Sequence, residues 1–137
     1  MTAGPPPRQL IVLASGKGRS YAMPTMRAVF KADGAETADR YTVSEWWLKP
    51  PGGGPGPHSH DDNDEIFHIL AGTVHVLVGD RWVEAAAGTL VIIPAGTTHD
   101  FENRGDVEAG LLNVYVPGGF EAQMPAIVQW YEDNPVG

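Results

Sequence analysis

The sequence contains no cysteine among its 137 residues. Disulfide bonds, thiolate metal ligands and cysteine nucleophiles are therefore excluded, and the redox environment of the protein is left open. Basic residues are also few: 9 lysines and arginines stand against 17 aspartates and glutamates, for a formal net charge of −8. No cluster of lysine or arginine offers a surface for polyphosphate, which argues against nucleic acid as a partner.

Long hydrophobic stretches are missing as well. The apolar run Leu10–Ala14 is too short for a signal-peptide core or a membrane span, and three consecutive prolines stand just before it. The chain is therefore expected to be a soluble cytoplasmic protein without a membrane partner. Residues 1–9 are predicted to form a flexible N-terminal arm, because a polyproline stretch cannot be helical.

Glycine and proline are abundant, with 17 and 12 residues scattered between short runs of β-type sequence. Turn residues at this spacing predict an all-β sandwich or barrel. The predicted strands are Leu10–Ala14, Ser20–Met23, Met26–Lys31, Tyr41–Leu48, Glu65–Leu70, Thr73–Val78, Arg81–Glu84, Thr89–Ile93, Thr97–Phe101 and Ala109–Val116. One helix is predicted within Phe120–Glu132, starting near Pro125, since proline fits only the first turn of a helix. The barrel is expected to span residues 10–116, with the tail 117–137 packing on it.

Metal-binding side chains follow the glycine- and proline-rich loop 50–57. In an extended strand residues i and i+2 project from the same face, so His58 and His60 can offer two imidazoles to one ion. A polar turn then allows Glu65 to fold back beside them, and His99 follows a Pro-x-Gly turn on a later strand. Imidazole and carboxylate donors together suit Fe, Mn, Ni, Co, Cu or Zn, so one divalent transition metal is the predicted cofactor.

At these residues the sequence resembles the cupin family. The first cupin motif is matched by Gly52, His58, His60, Glu65 and Gly72, and the second by Gly88, Pro94, Gly96, His99 and Asn103, each at the family's spacing. If each of the ten positions matches by chance about once in twenty, the probability that all ten match at a given starting position is on the order of 10⁻¹³. The resemblance covers residues 52–103. It implies a double-stranded β-helix, the cupin or jelly-roll barrel, with its metal facing the interior, and it suggests a homodimer.

Two aromatic residues share strand faces with the predicted ligands. Phe67 and Phe101 each follow a ligand, Glu65 or His99, by two residues, and are predicted to line a substrate pocket, with barrel core as the alternative. His68 lies on the opposite face of its strand and is expected to stay outside the ligand set.

Other conspicuous residues are given ordinary structural roles. His75 has no partner at ligand spacing, and the aspartates between His60 and Glu65 lack the glycine and glutamate of a calcium loop, so a solvated turn is expected. The segment Gly16–Ser20 is predicted to be a β-turn, because it lacks the spacer and helix of a phosphate loop. Trp46–Trp47 and Trp130–Tyr131 are assigned to core, dimer contacts or a lid.

The fold hosts many chemistries and does not determine the function, so the function is inferred from the ligand set. The chain resembles single-domain cupins of the flavonol dioxygenase, or quercetinase-like, kind. That resemblance implies a small enol substrate bound through an oxygen to the metal, O₂ as co-substrate, and Glu65 as the catalytic group that takes the proton. Two alternatives stay open: a non-redox cyclase, isomerase, decarboxylase or hydrolase using the metal as a Lewis acid, and a small-molecule-binding protein without catalysis.

Overall fold

The computed structural model describes residues 9–135, which form nine strands and one α-helix. The strands are β1 (Arg19–Ala22), β2 (Met26–Ala32), β3 (Thr42–Leu48), β4 (Asp64–Ala71), β5 (Thr73–Val78), β6 (Arg81–Ala86), β7 (Leu90–Ile93), β8 (His99–Glu102) and β9 (Ala109–Val116). The helix α1 is Met124–Asp133, preceded by the 3₁₀ turn Glu121–Gln123, and a second 3₁₀ turn is Gly34–Thr37. Within the described residues, no helix is long and apolar enough to cross a membrane.

The strands form two antiparallel sheets. Six lie in the order β1-β2-β3-β9-β4-β7, and three in the order β6-β5-β8. Successive residues of a strand point to opposite faces, and β3 accordingly alternates between fully and partly buried positions along its whole length. The buried sides of both sheets contribute to one aromatic and aliphatic core. This arrangement confirms the predicted all-β, double-stranded β-helix fold with a short C-terminal helix.

The predicted strand Leu10–Ala14 is wrong. These residues belong to no strand; Ile11, Leu13 and Ala14 instead line a surface cavity of about 440 Å³ together with side chains of β2 and β3. A run of apolar residues predicts that some of its side chains contact an apolar surface. It does not show whether its backbone forms the hydrogen bonds of a β-strand. The other nine predicted strands are present, Thr73–Val78 and Ala109–Val116 with the predicted ends and the other seven with ends shifted by one or two residues. The predicted arm, residues 1–9, lies outside the described residues except for Gln9.

The outer face of the large sheet carries an apolar row. Val43, Val114, Ile66 and Ile92 are paired neighbours on β3, β9, β4 and β7, and Ile92 is 57% exposed. Such a row is compatible with a second copy of the chain packing on this face. The predicted homodimer stays a prediction.

The loop between β3 and β4 runs antiparallel to β8 and extends the small sheet. Gly52 and Asn103 exchange backbone hydrogen bonds of 2.9 and 2.8 Å, and His58 and His99 exchange bonds of 3.0 and 2.8 Å. Between these two pairs the N–H of Gly56 donates to Oδ1 of Asp100 at 3.1 Å. The register therefore makes two predicted ligands, distant in sequence, direct cross-strand neighbours.

Gly54 is the point of closest approach between this loop and β8. A Cβ at Gly54 would lie 1.9 Å from the carbonyl oxygen of Phe101 and 3.1 Å from Oδ1 of Asp100. Its neighbour Gly53 has no atom within 4 Å of the corresponding position. Any side chain at residue 54 would thus push the loop away from the strand.

We expect Gly54→Ala to lower the free energy of unfolding by about 1–3 kcal/mol, because the loop or β8 must shift to relieve the clash. Gly53→Ala is the matched control, and it should change stability by less than about 1 kcal/mol. Urea denaturation of both variants measures the difference. Equal stabilities would show that the loop is not held against β8 as described.

Candidate metal centre

Four predicted ligands converge inside the barrel. His58 is held by its pairing with His99, while the carbonyl of His60 accepts a hydrogen bond of 2.8 Å from the N–H of Gly96 in the turn before β8. Glu65, near the start of β4, is paired with Tyr115 of β9 and Ile93 of β7 and is buried. The turn that precedes it thus returns the chain to the two histidines, as the sequence predicted.

The donor atoms are close enough to share one ion. One ligand atom from each of His58, His60, Glu65 and His99 lies within 4.8 Å of every other. Two donors at about 2.1 Å from one ion are about 3.4 Å apart in a tetrahedral site and about 4.2 Å apart when they face each other across an octahedral one. The spacing within the cluster is therefore close to what a shared ion requires.

Several polar atoms of this cluster lack an ordinary hydrogen-bond partner. Nε2 of His60, Nε2 of His99 and Oε2 of Glu65 are buried, and within residues 9–135 none of them makes a hydrogen bond of normal geometry. Oε2 of Glu65 contacts Nε2 of His99 and lies 3.6 Å from Nε2 of His60. Buried polar atoms are nearly always paired, so the cluster fits a cation that all of them would contact.

Backbone carbonyls orient two of the imidazoles. Nδ1 of His58 donates to the carbonyl oxygen of Gly56 at 2.7 Å, and Nδ1 of His99 donates to that of Thr97 at 2.9 Å. A neutral imidazole that donates through Nδ1 carries its lone pair on Nε2. Both rings are therefore held in the tautomer that presents Nε2 to a metal, as is usual for metal-binding histidines.

The charge state of the cluster also favours a cation. Burial lowers the pKa of His60, although the charge of Glu65 opposes this. Burial acts to raise the pKa of Glu65, but the contact with His99 and a hydrogen bond from Asn113 outweigh it, so this pKa is lowered. Burial acts to lower the pKa of His99, but the same carboxylate raises it overall. A proton and a metal ion therefore compete for His99 beside an ionised carboxylate.

Asn113 is a site residue that the sequence analysis missed. Its Nδ2 donates to Oε1 of Glu65 at 2.8 Å, while its buried Oδ1 has no hydrogen-bond partner among the described residues. Asn113 occupies a buried position of β9, between Leu111 and Tyr115 in the alternation. The sequence did contain a signal for this residue, namely a polar side chain at an inward-facing strand position. Such a side chain needs a hydrogen-bond partner inside the barrel.

Two cavities that share part of their lining lie beside the cluster. A small inner cavity of about 50 Å³ is lined by His58, Glu65 and Asn113 among apolar and aromatic side chains. An outer pocket of about 290 Å³ adjoins His58 and His60. The rest of the outer lining is Pro55, Phe120, Gln123, Ile127, Trp130 and Tyr131. The tail that ends in α1 therefore supplies most of the outer wall, a role that periodicity alone did not indicate.

The predicted substrate residues differ in position. Phe101 lines the inner cavity. Phe67 is fully buried, and its ring packs edge-to-face on the ring of Phe101, with the two centroids 5.7 Å apart. Their role toward a substrate stays a prediction. His68 is exposed, and His75 lies outside the cluster.

Two curated proteins are similar to part of this chain. Mannose-1-phosphate guanylyltransferase 2 of Escherichia coli O157:H7 is 31% identical over 84 residues, covering 61% of this chain and 17% of that enzyme. An oxalate-binding protein of Thermotoga maritima is 31% identical over 67 residues, or 49% of this chain and 55% of that protein. The chain thus spans well under two thirds of these curated relatives.

Solved structures support the fold. A predicted oxalate decarboxylase from Thermotoga maritima superposes with a TM-score of 0.71 at 20% identity, covering 78% of this chain and 99% of that one. The cupin domain family matches residues 46–115, about half of the 137 residues. That span contains the four clustered ligands, all three strands of the small sheet, and β4 and β7 of the large sheet. The chain belongs to the cupin family.

Proposed function

We propose that the protein is a metal-dependent enzyme that acts on a small enol, with dioxygenation as the reaction. The observation that carries this proposal is the group of buried ligand atoms that have no hydrogen-bond partner among the described residues, beside a largely apolar cavity that Glu65 and His58 line. His58, His60 and His99 would hold a divalent transition metal together with Glu65. Such an ion would supply Lewis-acid stabilisation of a bound oxygen anion and, if redox-active, a route for electrons to O₂.

Glu65 is suited to receive the substrate's hydroxyl proton. Its Oε1 is held by Asn113, which leaves Oε2 directed toward the histidines. The lowered pKa means that this carboxylate is ionised at neutral pH, so Oε2 can bind the metal or, after leaving it, accept the proton. The unpaired Oδ1 of Asn113 supplies a neighbouring hydrogen-bond acceptor for a substrate hydroxyl or a water molecule.

The remaining inner lining is suited to exclude water from a reactive enolate. Met26, Trp46, Phe101, Phe120 and Ile127 surround the inner cavity with apolar surface. Phe67 would support Phe101 from behind through their edge-to-face contact. Water exclusion strengthens electrostatic interactions and protects a carbanion-like intermediate from simple reprotonation.

The names of the two curated relatives, an oxalate-binding protein and a mannose-1-phosphate guanylyltransferase, suggest ligands that carry more negative charge than an enol. Within residues 9–135, the side chains that line the two cavities next to the cluster include no lysine or arginine. A second carboxylate or a phosphate would therefore lose its hydration without gaining a cationic partner, whereas an apolar ring would not. This comparison favours an enol. Lewis-acid chemistry without O₂ would use the same side chains and is distinguished by the oxygen experiment below.

Metal binding is tested by thermal denaturation of the chelator-treated protein with one equivalent of Zn²⁺, Mn²⁺ or Ni²⁺. The wild type should gain stability with at least one of these ions, since the folded cluster binds metal and the unfolded chain does not. His58→Ala should weaken the affinity by at least about tenfold. His68→Ala is the matched control and should bind like the wild type. Equal losses in both variants would contradict the assigned ligands.

The dioxygenase reaction is tested by oxygen-electrode measurements on the metal-loaded protein with flavonols and smaller enols. We expect metal-dependent O₂ uptake, and Glu65→Gln should reduce kcat by roughly 10²-fold or more because the proton acceptor is lost. Asn113→Leu should produce a smaller decrease through misplacement of the carboxylate. Product formation that is equally fast under nitrogen would refute dioxygenation and favour the Lewis-acid alternative.

A further inference from the structure

The C-terminal segment forms the outer wall of the candidate site. Phe120 lines both cavities, and its ring lies 6.2 Å from that of His60 and 5.1 Å from that of Tyr115. On α1, Ile127 also lines both cavities, and Trp130, which is 58% exposed, borders the outer pocket. A ligand that reaches the metal cluster through this pocket must therefore contact the helix.

Hydrogen bonds at the start of this C-terminal segment hold the wall against the barrel. Asp33, a buried residue, accepts the N–H of Gly119 at 2.7 Å and that of Glu121 at 2.6 Å. The side chain of Glu121 in turn accepts hydrogen bonds from Arg19 at 2.8 and 2.9 Å and from Tyr21 at 2.7 Å. These contacts hold the chain on both sides of Phe120, so the wall is a preformed surface.

The chemistry of the wall is almost entirely apolar and uncharged. Gln123 lines the outer pocket, where its neutral amide can donate and accept hydrogen bonds. It does not line the inner cavity that contains Glu65, so its amide belongs to the outer part of the site. With a divalent cation the three neutral histidines and one carboxylate leave a net charge of +1, which one anionic oxygen group neutralises.

The geometry assigns to the C-terminal segment 120–131 the selection of the ligand's distal end, an inference that rests on the proposed function and deepens it. The site takes a monoanionic molecule whose one anionic group binds at the metal cluster. An apolar, preferably aromatic, body lies along Phe120, Ile127 and Trp130. A neutral hydrogen-bonding group, and not a second anion, meets Gln123.

Three ligands built on the same ring test this inference. Benzoate has one carboxylate, 4-carbamoylbenzoate adds a neutral amide opposite it, and terephthalate adds a second carboxylate in the same position. Their affinities for the Zn²⁺-loaded full chain are measured by calorimetry and by quenching of tryptophan fluorescence. Zn²⁺ is chosen because it is redox-inert, so that binding is observed without turnover.

The wild type should bind 4-carbamoylbenzoate at least as tightly as benzoate and about tenfold more tightly than terephthalate, because the second carboxylate finds no cation. Gln123→Lys should reverse the preference between amide and carboxylate. Gln129→Lys adds the same charge to α1, which directly follows Gln123, at an exposed position outside the pocket, and it should leave the wild-type ratio within about twofold.

Two sets of results would overturn the inference: equal binding of terephthalate and 4-carbamoylbenzoate by the wild type, or equal shifts in both lysine variants. Failure of all three ligands to bind would overturn it as well. The proposed reaction is judged separately by O₂ uptake. A protein with the predicted ligand preference but without oxygen-dependent turnover would keep this inference and lose the dioxygenase.

Discussion

The antiparallel pairing between the loop that precedes β4 and the strand β8 is the interaction on which the candidate site depends. Two pairs of backbone hydrogen bonds, at Gly52–Asn103 and at His58–His99, fix the register. A shift by one residue would turn His58 to the opposite face and separate two ligands that lie 41 positions apart in sequence. The close approach at Gly54 and the anchoring of Gly56 by Asp100 hold the loop in this register.

The same pairing explains why polar groups are tolerated inside an apolar barrel. Each buried polar atom without a partner costs about 1–3 kcal/mol, and ionised groups cost more. The cluster contains several such atoms at short range, and two of its imidazoles are held in the required tautomer by backbone carbonyls. A bound cation would turn this unfavourable arrangement into a favourable one, so metal affinity and fold stability are coupled.

Much of this arrangement could be predicted from the sequence. His58, His60, Glu65 and His99 were identifiable because ligand chemistry requires particular residue types at a spacing set by strand geometry. Most strands were identifiable because glycine and proline turns separate them. Leu10–Ala14 has the composition of a strand, yet it joins no sheet, and Leu10 and Val12 are 94% and 84% exposed. Local composition does not show whether an apolar run has a neighbouring strand to pair with.

The substrate side of the site was harder to predict, because it depends on contacts between distant segments. Asn113 becomes significant only once β9 is placed beside β4 and its amide reaches Glu65. Gln123 and Trp130 are exposed residues of the tail that acquire a role only through the position of α1 at the barrel mouth. Nothing in their local sequence specifies that position.

The central claim is that three imidazoles and one carboxylate share a metal ion inside the barrel. A crystal structure of the Zn²⁺-loaded protein, with anomalous diffraction recorded at the zinc edge, tests it most directly. The predicted result is one strong anomalous peak at about 2.0–2.2 Å from Nε2 of His58, His60 and His99 and from a carboxylate oxygen of Glu65. A peak bound elsewhere, with these four side chains turned apart, would contradict the account.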